Sequence, residues 1–207
     1  MNGPASAFEH VWLPGEGAPL LLLHGTGGTE HDLLPLREHL GWGGHDAGPV
    51  LAPRGRVTEN GMSRFFRRLA EGVLDEDDLR LRVDELADFV VGVDPGPWVA
   101  AGFSNGANTA SALLFRRPEV LSGAVLLAAM VPFRDGPVSR DGGEVDLSGK
   151  RVAVSNGRHD PLVPAAETAT LVAQLRGCGA TVEEFPHGGG HGIDADVLPH
   201  VRAFLGR

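Results

Sequence analysis

The pentapeptide Gly102-Phe103-Ser104-Asn105-Gly106 follows an apolar run over residues 98–101 and precedes a helical pattern. A serine at such a strand-to-helix turn reads as a nucleophile. The turn is too tight for side chains on both flanks, and the glycines leave the room that side chains would fill. Its hydroxyl then stands at the head of a helix, where the dipole favours an incoming negative charge. Alone, a serine hydroxyl is a poor nucleophile at neutral pH. It needs a base within hydrogen-bond reach and a carboxylate to orient that base. Two later segments supply both. Gly157-Arg158-His159-Asp160-Pro161 follows an apolar run at 151–155, and His187-Gly188-Gly189-Gly190-His191-Gly192 follows a run at 181–185. His191, on a glycine-flanked loop, is the preferred base; His187 directly ends its strand and is expected to bind loop backbone. Asp160 is preferred as the carboxylate over Asp194, which reads as a helix cap, and over Asp135 and Asp141 in a polar loop.

Acyl transfer also requires donors aimed at the developing oxyanion. One is expected from the backbone N–H of Asn105, the residue after the nucleophile. The other is expected from Thr26 in the loop His24-Gly25-Thr26-Gly27-Gly28, which follows the apolar run 20–23. A glycine-rich loop could instead cradle phosphate, but this one matches neither Gly-x-x-x-x-Gly-Lys-Ser/Thr nor Gly-x-Gly-x-x-Gly and holds no lysine. No metal or cofactor is implied. His24, His31, His39 and His45 are dispersed, with no His-Glu-x-x-His pair and no cysteine cluster. His24 reads as a structural hydrogen-bonding residue at its strand end.

The elements that must position these residues alternate between short apolar runs and longer helical patterns, the sign of βαβ units on a parallel sheet. Strands are expected at 20–23, 49–52, 98–103, 123–129, 151–155 and 181–185. All read as continuously apolar, as strands covered on both faces should. An edge strand is expected at 8–13. Asp75 can cap a helix in which Leu79, Val83, Leu86 and Val90 recur at helical spacing while Arg80, Arg82, Asp84 and Glu85 face water. Further helices are expected at 105–116, closed by Pro118, and at 165–176, stopped by Gly177. A last one carries Val197, Val201, Phe204 and Leu205. Its Pro199 requires either a start near Asp196 or a kink.

The chain has 207 residues, suited to one domain over 1–207, and its formal charge is −9. An acidic balance disfavours nucleic acid and anionic membrane surfaces as partners. No apolar run reaches the ~18–20 residues that span a bilayer. The first fourteen residues lack the basic and apolar regions of a secretory signal, and Cys178 is the one cysteine, so the cytoplasm is the expected location.

Taken together and in order, His24-Gly25-Thr26-Gly27-Gly28, the Ser104 turn, residues 157–164 and Gly190-His191-Gly192-Ile193 resemble the carboxylesterase/phospholipase family of α/β-hydrolases. The resemblance runs from about residue 20 to 205. It implies a mostly parallel sheet flanked by helices, Ser104, Asp160 and His191 as the catalytic set, and Thr26 and Asn105 as oxyanion donors. Members of that family usually carry glutamine where this chain has Asn105, a change expected to alter substrate contacts rather than chemistry. Residues 60–68 resemble a bacterial branch associated with hydroquinone or quinone detoxification, which implies that they line the substrate pocket. Only residues 130–150 join the strands at 123–129 and 151–155, too few for a helical cap. A shallow site is therefore expected, walled by Met62, Phe65 and residues 130–133, with Gly25 also contacting substrate. The implied activity is a serine carboxylesterase for small or short-chain esters. A thioesterase acting on acylated protein or coenzyme A would use the same machinery, and a catalytically silent fold serving as a small-molecule receptor is the non-enzymatic alternative. The partner is a small-molecule ester; oligomeric state is open, a homodimer included.

Overall fold

The structure, a computed structural model, describes residues 8–44 and 47–206; His45 lies outside them. Strand β1 (His10–Leu13) is followed by β2 (Leu20–Leu23), the short helix α1 (Leu36–His39) and β3 (Val50–Pro53). Two small hairpins come next: β4 (Val57–Glu59) with β5 (Met62–Arg64), then β6 (Arg68–Ala70) with β7 (Val73–Leu74). The chain then alternates through α2 (Glu76–Val93), β8 (Trp98–Phe103), α3 (Asn105–Arg116), β9 (Leu121–Leu127), β10 (Arg151–Ser155), α4 (Ala165–Gly177), β11 (Thr181–Glu184) and α5 (Leu198–Leu205).

Seven strands form one sheet in the order β1-β3-β2-β8-β9-β10-β11. Every neighbouring pair is parallel except β1 with β3, so the expected edge strand runs antiparallel to the rest. Successive side chains of a strand point to opposite faces, and each face here has its own core. Leu21, Leu23, Trp98 and Ala100 pack with α2, α3 and α4 on one side. Leu20, Leu22, Val99 and Ala101 pack with α1 and α5 on the other. That two-sided burial explains the unbroken apolar runs of the central strands. Strand β11 departs from the expectation. Its residues are largely exposed, because it pairs only with β10 at the sheet edge and its two glutamates face water.

Helix α2 begins as expected, Asp75 accepting the N–H of Asp78 at 3.1 Å. The charges assigned to its wet face are instead half-buried in ion pairs. Arg116 forks onto Asp84 at 2.7 and 3.1 Å, joining α3 to α2, because an arginine buried on α3 needs a carboxylate partner. Pro199 lies in the first turn of α5, where a missing N–H costs nothing, and no kink is required. Asp194 caps the turn just before it. No helix among the described residues is long and apolar enough to cross a membrane.

Candidate active site

The carboxyl ends of β2, β8, β10 and β11 bring the four sequence motifs to one rim of the sheet. Ser104 joins β8 to α3 with φ 52° and ψ −113°, a left-handed backbone that a serine rarely adopts. The flanking glycines make this turn sterically accessible. A Cβ on Gly102 would lie 2.4 Å from the carbonyl oxygen of Gly106, and one on Gly106 would lie 1.9 Å from that of Leu23. Helix α3 thus passes directly over β2, and the first N–H groups of the helix, that of Asn105 included, have no helical partner.

The loops after β10 and β11 are laced together. Arg158 N–H donates to His187 O at 2.8 Å, and His159 N–H to Gly189 O at 3.0 Å. This close pass needs Gly157, whose Cβ would sit 2.2 Å from Gly190 O. The lacing carries Asp160 and His191 to the serine. The His191 Nε2 atom is 2.8 Å from Ser104 Oγ, and its Nδ1 is 2.7 Å from Asp160 Oδ2. The Asp160 carboxylate is fully buried, and its other oxygen accepts the N–H groups of Leu162 and Val163 at 2.8 and 3.1 Å. A carboxylate held this way fixes the imidazole with Nδ1 protonated and Nε2 free to accept the hydroxyl proton. His187 behaves as expected of a loop-binding residue: it is buried, and its Nδ1 accepts the N–H of Gly189 at 3.2 Å.

On the opposite side of the serine, His24 organises the glycine loop. Its Nδ1 donates to Gly25 O at 2.6 Å while its Nε2 accepts the N–H of Gly55 at 2.9 Å. Gly25 O also receives the N–H of Gly28 at 3.1 Å. A trans peptide sets N–H and C=O in opposite directions, so pinning the Gly25 carbonyl leaves the Thr26 N–H pointing the other way. Thr26 lines the cavity beside Ser104.

Burial pushes the His24 imidazole below its ordinary value of 6.5. The folded protein therefore prefers this ring neutral, and the unfolded chain takes up a proton that the buried ring resists. The stability that follows is present above pH 6.5 and declines as pH falls below it. Melting temperature measured from pH 7.5 to 5 should fall less for His24→Asn, which keeps a donor for Gly25 and cannot titrate, than for the parent. Parallel declines would contradict this account.

A cavity of about 230 Å³ adjoins the serine and histidine, with Arg64, Arg68, Asn108, Met130 and Leu162 in its wall. Met62, Phe65 and Gly25, expected in that wall, lie elsewhere. Phe65 is buried with its ring 4.7 Å from that of His24, where an aromatic face loses its water. Its N–H donates to Asn105 Oδ1 at 2.7 Å. Met62 is partly exposed and would touch a Cβ on Gly27. Gly25 is held under the Phe103 ring, with its carbonyl engaged by His24. Of residues 130–133, Met130 reaches the cavity while Phe133 is fully buried in the core.

Arg64 and Arg68, from the segment 60–68 expected to line the pocket, do reach the cavity, though neither stood out by residue type; sequence reasoning missed Asn108. Asn108 stands one helical turn after Ser104 and accepts the Met130 N–H at 2.8 Å, which fixes one wall. Its signal was available: a polar residue on an otherwise buried helix, at i+4 from the serine. Among the described residues, no group of three or more histidine, cysteine, aspartate or glutamate side chains could hold a metal ion.

No protein-family model matches the chain. It is 45% identical over 202 residues to the provisionally named hydrolase MhqD of Bacillus subtilis (strain 168), covering 94% of this chain and 96% of MhqD. A carboxylesterase from Bacillus cereus has a similar structure, with a TM-score of 0.87 and 39% identity over 98% of this chain and 95% of that one. YahD, solved with malic acid, gives a TM-score of 0.84 at 26% identity, covering 96% and 98%.

Proposed function

This chain belongs to the carboxylesterase-type α/β-hydrolases, with no cap domain among the described residues, and from that premise we propose that it is a serine carboxylesterase cleaving small esters through an acyl-enzyme on Ser104. The observation that carries the reading is the continuous relay from Ser104 Oγ to His191 Nε2 at 2.8 Å and from His191 Nδ1 to Asp160 at 2.7 Å. As Oγ attacks the ester carbonyl, His191 takes its proton and Asp160 stabilises the imidazolium that forms. The carbonyl oxygen becomes an anion received by the N–H groups of Thr26 and Asn105. Each such donor contributes ~3 kcal/mol at the transition state. Collapse of the intermediate expels the alcohol, which leaves with the proton from His191. Water, activated by the same imidazole, then releases the acid.

The cavity, about 230 Å³, lies below the ~300–1,000 Å³ usual for drug-sized ligands. That size supports esters with a short acyl chain. Malic acid on YahD is likewise a small polar acid. Two measurements test the reading. Acid quenching during turnover of p-nitrophenyl acetate should give a peptide mass increased by one acetyl group at Ser104; absence of that adduct under burst conditions would count against the acyl-enzyme. Across p-nitrophenyl esters, kcat/KM should fall at least tenfold from C2–C4 to C12, and a rise would reject the short-chain assignment.

A further inference from the structure

The cavity beside Ser104 contains two guanidinium groups for which the hydrolytic relay has no use. Arg64, at the end of β5, is buried to 4% exposure and yet lines the cavity. Its Nε donates to Phe66 O at 3.1 Å and one NH1 hydrogen goes to Thr26 Oγ1 at 2.7 Å. An arginine carries five N–H donors. Two are engaged here; the other three have no hydrogen-bond acceptor in the protein among the described residues, although the guanidinium carbon also lies 5.8 Å from the centre of the Phe66 ring. Arg68, at the start of β6, shares the wall and is held through Nε alone, 2.9 Å from Glu59 Oε1.

Charge near these groups is unevenly countered. Glu59 faces both arginines, at 3.3 Å from Arg64 Nε and 2.9 Å from Arg68 Nε. A single carboxylate therefore serves two cations, and it does so from their Nε edges, leaving Arg64 NH2 and the terminal nitrogens of Arg68 without a carboxylate among the described residues. Glu71 also reaches the cavity wall, but it is exposed on the turn between β6 and β7, where water screens it. Burying a guanidinium is costly unless its donors find acceptors. Its planar fork matches a carboxylate in two parallel hydrogen bonds, and such bonds strengthen when water is excluded.

We propose that the ester taken by this site carries a carboxylate, received by the free ends of Arg64 and Arg68 while the ester carbonyl lies at Ser104. This deepens the carboxylesterase reading and rests on it. The role of the arginines is recognition: the carboxylate remains intact while the ester bond alone is cleaved. Because Arg64 also holds the Thr26 side chain, an occupied arginine site and the oxyanion loop are mechanically joined. Holding the hairpins through Glu59 explains the Nε contacts, but not why two arginines line the cavity beside Ser104 in a chain of net charge −9.

Two matched pairs of esters test the proposal and locate the anion. Mono-(4-methylumbelliferyl) adipate against its methyl-capped diester places the charge on the acyl half. Acetylated 3-hydroxybenzoate against acetylated 3-hydroxybenzamide places it on the alcohol half. In at least one pair the anionic member should exceed its neutral partner by tenfold or more in kcat/KM, mostly through KM. Arg68→Gln and Arg64→Lys should each bring that ratio toward one. The ratio is internal to each variant, so a general loss of fold or activity does not imitate the effect. In the unaltered protein, 3-hydroxybenzoate should also inhibit at least tenfold more tightly than 3-hydroxybenzamide if the alcohol half carries the charge. Neutral esters turned over through Ser104 with no anionic preference in either pair would overturn the proposal and leave the esterase reading intact. Absence of turnover of all four esters, together with no acetylation of Ser104, would remove the esterase reading itself.

Discussion

Ser104→Ala is expected to lower kcat on any ester this protein cleaves by at least ~10⁴-fold and to abolish labelling by a fluorophosphonate probe. The magnitude follows from how nucleophile, base and carboxylate act together: removing one member costs nearly as much as removing all. The residual rate is expected to come from the proposed donors at Thr26 and Asn105, which would still bind a developing oxyanion. Stability should change little, because the site's own fold does not depend on the hydroxyl. Ser104 N–H donates to Leu127 O at 2.8 Å and Ser104 O accepts the Asn108 N–H at 2.9 Å, and alanine keeps both backbone bonds. Alanine does meet the same left-handed φ that serine tolerates, so the cost is a modest shift rather than a collapse. Assay and probe must agree. A variant that still labels would place the nucleophile elsewhere, and one that melts far below the parent would make the lost activity uninformative.

Gly106→Ala is expected to produce the largest loss of stability of any single methyl addition near the site. The new Cβ would lie 1.9 Å from Leu23 O, 2.4 Å from Leu23 C and 2.6 Å from His24 O. All three are backbone atoms of β2 or the residue just after it, so no side chain can swing aside. Relief requires α3 to lift from the sheet, and α3 is buried along its whole length. Overpacking in a tight core typically costs ~1–3 kcal/mol, and a clash with rigid backbone belongs at or beyond the upper end. In a chain of this size ~3 kcal/mol corresponds to a fall in Tm of roughly 6–12 °C. A thermal melt measures it. Activity should fall by more than the folded fraction accounts for, because the same displacement moves Ser104 away from His191. A change in Tm of less than about 2 °C would show that helix and strand are not held as closely as the contact implies.

The glycines of the serine turn, the order of Ser104, Asp160 and His191, five of the six apolar strand runs and the Asp75 cap were all readable from residue types, whereas the sixth run, β11, is an exposed edge strand. Each expresses a local requirement: a backbone with no room for Cβ, an orphan N–H that needs an acceptor, a strand with both faces dry. Such requirements are satisfied within a few residues of where they are written. Hairpins β4–β5 and β6–β7 were not readable, since two- and three-residue strands carry too little periodicity to register. They are held by partners far along the chain. Ser63 O accepts the Gly27 N–H at 2.9 Å, Asn105 Oδ1 accepts that of Phe65, and Asp78 Oδ2 accepts that of Arg67 at 2.8 Å.

The same reason explains the cavity wall. Met62 and Phe65 are the residues one would choose for an ester pocket by hydrophobicity, yet Phe65 gains more by covering His24, and the charged Arg64 takes the inner position instead. Arginines are ordinarily expected at the surface, and only the packing of Glu59, Thr26 and Phe66 around this one makes its burial tolerable. The identities of the proposed reacting groups are thus written in short segments of chain, whereas the contacts of the site join residues 87 and 38 positions apart. Local chemistry names the proposed nucleophile; long-range packing decides what surrounds it.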